Sequence, residues 1–129
     1  MINCRHRGSI SALVVCLVIS AIAVLGISYD GGRVVSTYVE LSDVAQNAAR
    51  VGAQHVVGIR KGNPRISRAA SSSAVENFLR SEDVSGNFDM DSRRVTVRVS
   101  AVVPMKILGI IGLHWRTVSV TRSALLSDQ

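Results

Sequence analysis

The apolar positions of this chain fall into four successive patterns. From Gly8 to Tyr29 no residue is charged. As a helix that run is about 33 Å long, enough to cross a bilayer core of about 30 Å. The period then becomes helical. Val34, Tyr38, Leu41, Ala45, Ala48 and Gly52 are spaced four, three, four, three, four, one stripe on a helix. Arg33, Ser36, Glu40, Asp43, Asn47, Arg50 and Gln54 form its polar face. The stripe narrows to small residues, which permits close approach of a sheet or another helix. No proline intervenes before Pro64, so one helix is predicted from about Ser9 to about Arg60. Gly31-Gly32 is the expected place for a bend, since paired glycines weaken a helix.

The third pattern is a shorter helix. Lys61-Gly62-Asn63-Pro64 reads as a stop and restart, with glycine ending one helix, Asn63 capping the next and Pro64 in its first turn. Ile66, Ala70, Ala74 or Val75, and Phe78 mark that helix to about Arg80. Ser71-Ser72-Ser73 sits awkwardly in its middle, because serine competes for backbone hydrogen bonds. Beyond Gly86 the period drops to two. Val95, Val97 and Val99 alternate with Thr96, Arg98 and Ser100, a strand with one wet face. Asn87–Met90 is its expected hairpin partner, and Pro104 ends it. Trp115–Ala124 is a further strand, with Val118 and Val120 on one face and Thr117, Ser119 and Thr121 on the other. The connection between them, Met105 to Leu113, is unusually apolar. It either tucks under the sheet or contacts a partner subunit or the bilayer surface, with Ile107, Leu108, Ile110 and Ile111 as the contact residues. The expected fold is α+β: a long N-terminal transmembrane helix continuing into an extracytoplasmic helix, a second short helix and a small antiparallel sheet. The corresponding segments are a basic cytoplasmic leader (1–8), the span (9–29) and an extracytoplasmic domain (30–129).

Composition narrows the function. A chain of 129 residues has room for one small domain. Lysine and arginine outnumber acids 15 to 9, giving a formal charge of +6. The arginines are mostly spread singly, and the aromatics are few: Tyr29, Tyr38, Phe78, Phe88 and Trp115. A nucleic-acid surface needs clustered cations and stacking rings, so nucleic acid is not an expected partner. The cysteines, Cys4 and Cys16, lie before or within the apolar run. The remainder must be held by packing or by partners rather than by disulfides.

The opening segment admits three readings. A lipoprotein signal ending at Cys16 needs a small residue before the cysteine, and Val15 stands there. A cleaved secretory signal finds an A-x-A site in Ala21-Ile22-Ala23, yet the apolar run continues to Tyr29. A retained anchor fits the full length. Arg5 and Arg7 flank one end and Asp30 the other, which places the N-terminus in the cytoplasm and the C-terminal domain outside. The membrane is therefore an expected partner. Gly8 ends the basic leader as the cut-site glycine does in a prepilin, making Gly8 and Ser9 the candidate processing residues.

Catalytic groups do not converge in the sequence. His6 lies in the leader, His55 has no ligand three or four residues away, and His114 has no neighbouring carboxylate or cysteine, which argues against zinc. The serines lack a nucleophile-elbow pattern. Asp89 and Asp91 read as turn residues, and a calcium loop requires more oxygen ligands. Gly31-Gly32 is preceded by no strand and is no phosphate loop. No enzyme, metal or cofactor is expected.

Three features together resemble the TadE/TadG-like proteins of the tight-adherence (Flp, type IVc) pilus assembly system. They are Arg7-Gly8-Ser9 leading into one apolar helix, Asp30-Gly31-Gly32-Arg33 followed by LSDVAQNAARVGAQ (41–54), and the pair VTVRVSAVVP and TVSVTRSALL either side of a short apolar connection. The resemblance implies a bitopic minor pilin or assembly factor, with other pilus or secretion-system subunits as partners and a prepilin peptidase acting between Gly8 and Ser9. Val34, Tyr38, Leu41, Ala45 and Ala48 would pack on the chain's own sheet or on a neighbour. One departure is clear. The glutamate that TadE-type pseudopilins carry five residues into the mature helix is Leu13 here. A carboxylate in the bilayer core costs about 2.5–3.5 kcal/mol and is kept for a purpose, so its absence bears on cleavage and on filament incorporation. The TadG side of the family, whose members can remain uncleaved anchors, accommodates it. The expected function is a non-catalytic minor pilin-like or assembly subunit in the cytoplasmic or inner membrane. The alternatives are a secreted small α+β binding domain released by signal peptidase after Ala23, and a membrane-bound regulator or chaperone.

Overall fold

A computed structural model describes residues 7–126, and the side chains of residues 10–126. The leader before Arg7, with His6 and Cys4, lies outside the described residues. The fold is α+β: a long N-terminal apolar helix, a second helix and small antiparallel sheets. The first helix, α1, is Arg7–Ala53. It stays helical through Gly31-Gly32, the expected place for a bend. A Cβ at either glycine would meet nothing within 4 Å. Within this helix Ile10–Ala53 holds a stretch long and apolar enough to cross a membrane.

Helix α1 ends earlier than its apolar period predicts. Instead of continuing to Arg60, the chain forms a two-residue strand, β1 (Val56–Val57), which pairs antiparallel with β2 (Arg65–Ile66). The His55 carbonyl accepts the Ser67 N–H at 2.7 Å, closing the mini-hairpin. The β-branched pair Val56-Val57 favours extended backbone, and this pairing wins over helix continuation. A 3₁₀ turn at Ile59–Lys61 fills the hairpin and ends at Gly62 in left-handed conformation. Asn63-Pro64 consequently opens a strand rather than a helix. Ile66, predicted as helical, is a buried strand residue.

The second helix, α2, is Arg68–Ser81, with Ser67 at its N-cap. Its serines are reconciled with the helix by specific bonds. Ser71 is fully buried and donates to the Gly52 carbonyl of α1 at 2.8 Å. The Ser72 and Ser73 hydroxyls fold back on the Ala69 carbonyl at 3.0 and 3.1 Å. Val75 and Leu79 carry the apolar face into the core.

The main sheet has the order β3-β4-β5, with β3 Gly86–Met90, β4 Arg94–Pro104 and β5 Trp115–Leu125. All its pairings are antiparallel. Phe88 lies opposite Val97, and β4 and β5 pair from Arg94 with Leu125 to Pro104 with Trp115. Val95, Val97, Val99, Val103, Val118 and Val120 turn inward onto Leu41, Ala45, Ala48 and Ala49 of α1. Each fully buried valine contributes about 1.5–3 kcal/mol. Thr96, Arg98, Ser100, Thr117, Ser119 and Thr121 occupy the opposite, wetter face, as the period of two predicts.

The buried face of α1 follows the predicted stripe with one displacement. Leu41, Ala45, Ala48 and Gly52 are buried and Val34 packs at the edge of the core. Tyr38 is 45 % exposed, and the neighbouring Thr37 takes the more inward position. Small residues let the sheet and α2 approach closely. A Cβ on Gly52 would stand 2.8 Å from Val75 Cγ2 and 3.0 Å from both Ser71 Oγ and Val95 Cγ1. Replacing Gly52 with Val should therefore destabilise the domain by about 1–3 kcal/mol through overpacking. Chemical denaturation of the purified chain in detergent measures this, and wild-type stability in the variant would refute the packing argument.

Candidate functional site: a buried carboxylate that holds the apolar connection

The stripe of α1 extends further back than its apolar members. Four residues before Val34 comes Asp30, and four before that Gly26. Both are buried, and Asp30 is only 1 % exposed. A carboxylate in such a place needs donors. It finds three, all backbone N–H groups of the β4–β5 connection. Lys106 donates to Oδ1 at 2.9 Å, while Ile107 and Leu108 donate to Oδ2 at 2.9 and 2.7 Å. These amides open a 3₁₀ turn, Leu108–Ile111. The first amides of such a turn have no partner within it, and a carboxylate satisfies them directly.

Two further contacts complete the clasp. The Arg33 guanidinium donates to the Pro104 carbonyl at 2.6 Å, one turn along α1. Gly26 lies under Ile107, where a Cβ would come within 2.8 Å of Ile107 Cγ2. Asp30-Gly31-Gly32-Arg33 thus holds the end of β4 through its charged residues. The connection also closes on itself. Met105 donates to the His114 carbonyl at 2.9 Å, Leu113 to the Leu108 carbonyl at 3.1 Å, and Gly112 turns the chain with a φ of 98°. It does not tuck under the sheet. Ile107 and Leu108 are half-buried against α1, while Ile110, Ile111, Leu113 and Trp115 remain exposed.

Burial alone would raise the Asp30 pKa. The Leu108, Lys106 and Ile107 amides, with a smaller contribution from the Arg33 charge, outweigh it and hold the carboxyl below its ordinary value of 3.8. A depressed carboxylate pKa adds stability above the unfolded value, and that stability is lost as pH falls through the folded value. The carboxylate is therefore charged at neutral pH, and its hold on the connection weakens in acid.

Other sequence candidates sit apart from this site. Gly8 and Ser9 lie in the first turns of α1, where only the backbone is described. His55 and His114 are both exposed, and the His114 ring lies 5.9 Å from that of Trp115. Asp89 and Asp91 accept hydrogen bonds from the next residue's amide, at 2.9 and 2.7 Å. Glu40, Asp43 and Glu82 line a shallow groove between α1 and α2. Among the described residues no group of three or more His, Cys, Asp or Glu is arranged to hold a metal ion. Searches against protein-family models, curated proteins and solved structures returned no match to this chain.

The clasp makes two predictions. Asp30→Asn replaces an acceptor-only group with one that has a single acceptor oxygen, so the amides of Lys106, Ile107 and Leu108 should exchange about tenfold faster or more. Amide exchange resolved by mass spectrometry reads this, and unchanged protection would show that the carboxylate does not hold the loop. In the wild-type chain the same protection, corrected for intrinsic exchange, should be flat from pH 7 to about pH 4 and fall only below that. A decline centred near pH 6 would contradict the depressed pKa.

Proposed function

We propose that this chain is a non-catalytic, single-span subunit of a tight-adherence (Flp) pilus or related secretion apparatus, of the TadE/TadG-like kind. Its span lies in the cytoplasmic or inner membrane, with Arg5 and Arg7 inside and the domain from Asp30 outside, as the charge flanks favour. The observation that carries the reading is the division of labour around α1. From Gly26 onward one face is consumed by the β4–β5 connection, the chain's own sheet and α2. The opposite face is exposed from Ala21 to Val39. Ala21, Val24, Ser28, Gly32, Val35 and Val39 follow one another at three- and four-residue spacing, and all are exposed. The line runs without a charge from inside the apolar stretch into the part that carries the domain.

In a bilayer, lipid is as apolar as leucine, and helices associate by close packing through small residues. Ser28 and Gly32 provide that on this face, and Val35 and Val39 prolong it beyond the span. A neighbouring single-span subunit could lie along the same line at both levels. That is the geometry an assembly of bitopic subunits needs, and the Asp30-to-Arg33 clasp keeps the domain close to the span while it forms.

Crosslinking in cells tests the reading. With Cys4 and Cys16 changed to serine, Val35→Cys or Val39→Cys should form adducts with a second copy or with another span-bearing subunit. Mass spectrometry of the captured chain should find an N-terminus at Met1 or Ser9. Monomer alone at both positions, or an N-terminus at Val24, would overturn the proposal, the latter in favour of a secreted domain.

A further inference from the structure

We infer that the β4–β5 connection is a membrane-dipping loop, whose tip of Ile110, Ile111 and Leu113, with Trp115, sits in the outer interface of the bilayer that α1 crosses. This rests on reading α1 as a membrane span.

The placement follows from four observations. The first is the direction of the sheet. Arg122 of β5 meets Ser42 Oγ at 2.8 Å, whereas Pro104 at the end of β4 meets Arg33 at 2.6 Å. The β4–β5 turn is therefore the end of the domain nearest the span. The second is depth. Beyond Pro104 the chain is fixed to Asp30, then seats Ile107 on Gly26. Gly26 is four residues before Asp30, so this contact lies about 6 Å back along the helix axis, within the apolar run.

The third observation is the character of the tip. Ile110 is 83 % exposed, Trp115 71 %, and Ile111 and Leu113 are also open. Such a cluster on one short loop is costly in water and marks a contact surface. The base of the loop is also tied down, by the Asp30 clasp and its own closing bonds, with the tip pointing away from the core. The fourth is the bracketing charge. Lys106 and Arg116 stand on either side of the tip, both exposed, and between them no residue is acidic. Cations at headgroup level with an apolar wedge and a tryptophan between them are the composition of an interfacial membrane contact. A protein partner would need no such match to the depth of the span.

The chain's single tryptophan reports on its own surroundings. The test uses the full chain in phosphatidylcholine–phosphatidylglycerol vesicles, some with lipids brominated near the headgroup and some with lipids brominated near the chain ends. Trp115 emission should be blue-shifted and quenched more by the shallow bromines than by the deep ones. Ile110→Ser with Ile111→Ser, both at exposed positions, should move the emission to the red and reduce the quenching. Unchanged quenching in that variant overturns the inference. So does blue-shifted emission that the brominated lipids leave unquenched, which would mean that protein covers the tip. Alkaline carbonate extraction of the same vesicles separates the two readings. A chain that resists extraction while Trp115 stays unquenched loses the loop inference alone. A chain that is extracted loses the span and the loop together.

Discussion

The arrangement of this molecule depends on one buried carboxylate. Asp30 would be unfavourable on the inner face of α1 without partners, and three successive amides of a distant segment supply them. The dependence is mutual. Those amides begin a 3₁₀ turn and have nothing else to bond within it. The sequence separation between the partners exceeds seventy residues, so the contact closes nearly the whole domain onto the end of the apolar run. Apolar packing could hold the sheet on α1, but packing is weakly directional. The carboxylate fixes which end of the sheet lies at which level of the helix.

Small residues let that registration be realised. Gly26 admits Ile107 at one end of the buried stripe, and Gly52 admits Val75, Ser71 and Val95 at the other. Between them Ala45, Ala48 and Ala49 keep the sheet close along the helix. The inner face of α1 is thus shaped by what it lacks in side-chain volume, and the valines of β4 and β5 fill the space. Arg122, paired with Val97 on the inner face of the sheet, reaches out to Ser42 and so remains hydrogen-bonded at the core's edge.

Much of this was legible in the sequence, because periodicity reports burial directly. The strand alternation of Val95–Val99 and Val118–Val120 gave the correct faces, and the stripe through Leu41, Ala45, Ala48 and Gly52 gave the correct side of α1. Three things were hidden. Tyr38 looked like a stripe member because it is large and partly apolar, yet Thr37 lies more inward. The short β1–β2 pairing is a long-range choice that local patterns around Pro64 do not express. The Asp30 site was missed because a search for apolar stripes stops at a charge. Stepping back four residues from Val34 reaches Asp30, and four more reaches Gly26. A charge on the buried stripe was itself the sign that a donor set had to arrive from elsewhere.

The absence of any interruption in α1 has a mechanical meaning. A helix continuous from Arg7 to Ala53 is a lever, not a tether. In the proposed placement, a tilt of about 10° in the span would carry the far end of the helix, about 35 Å beyond Asp30, sideways by about 6 Å. The sheet and α2 ride on that arm, since both are packed on it. The interfacial loop, clasped at the pivot, would scarcely move. A neighbour pressing on the span would thus swing the outer end of the domain while its foot stayed at the bilayer surface.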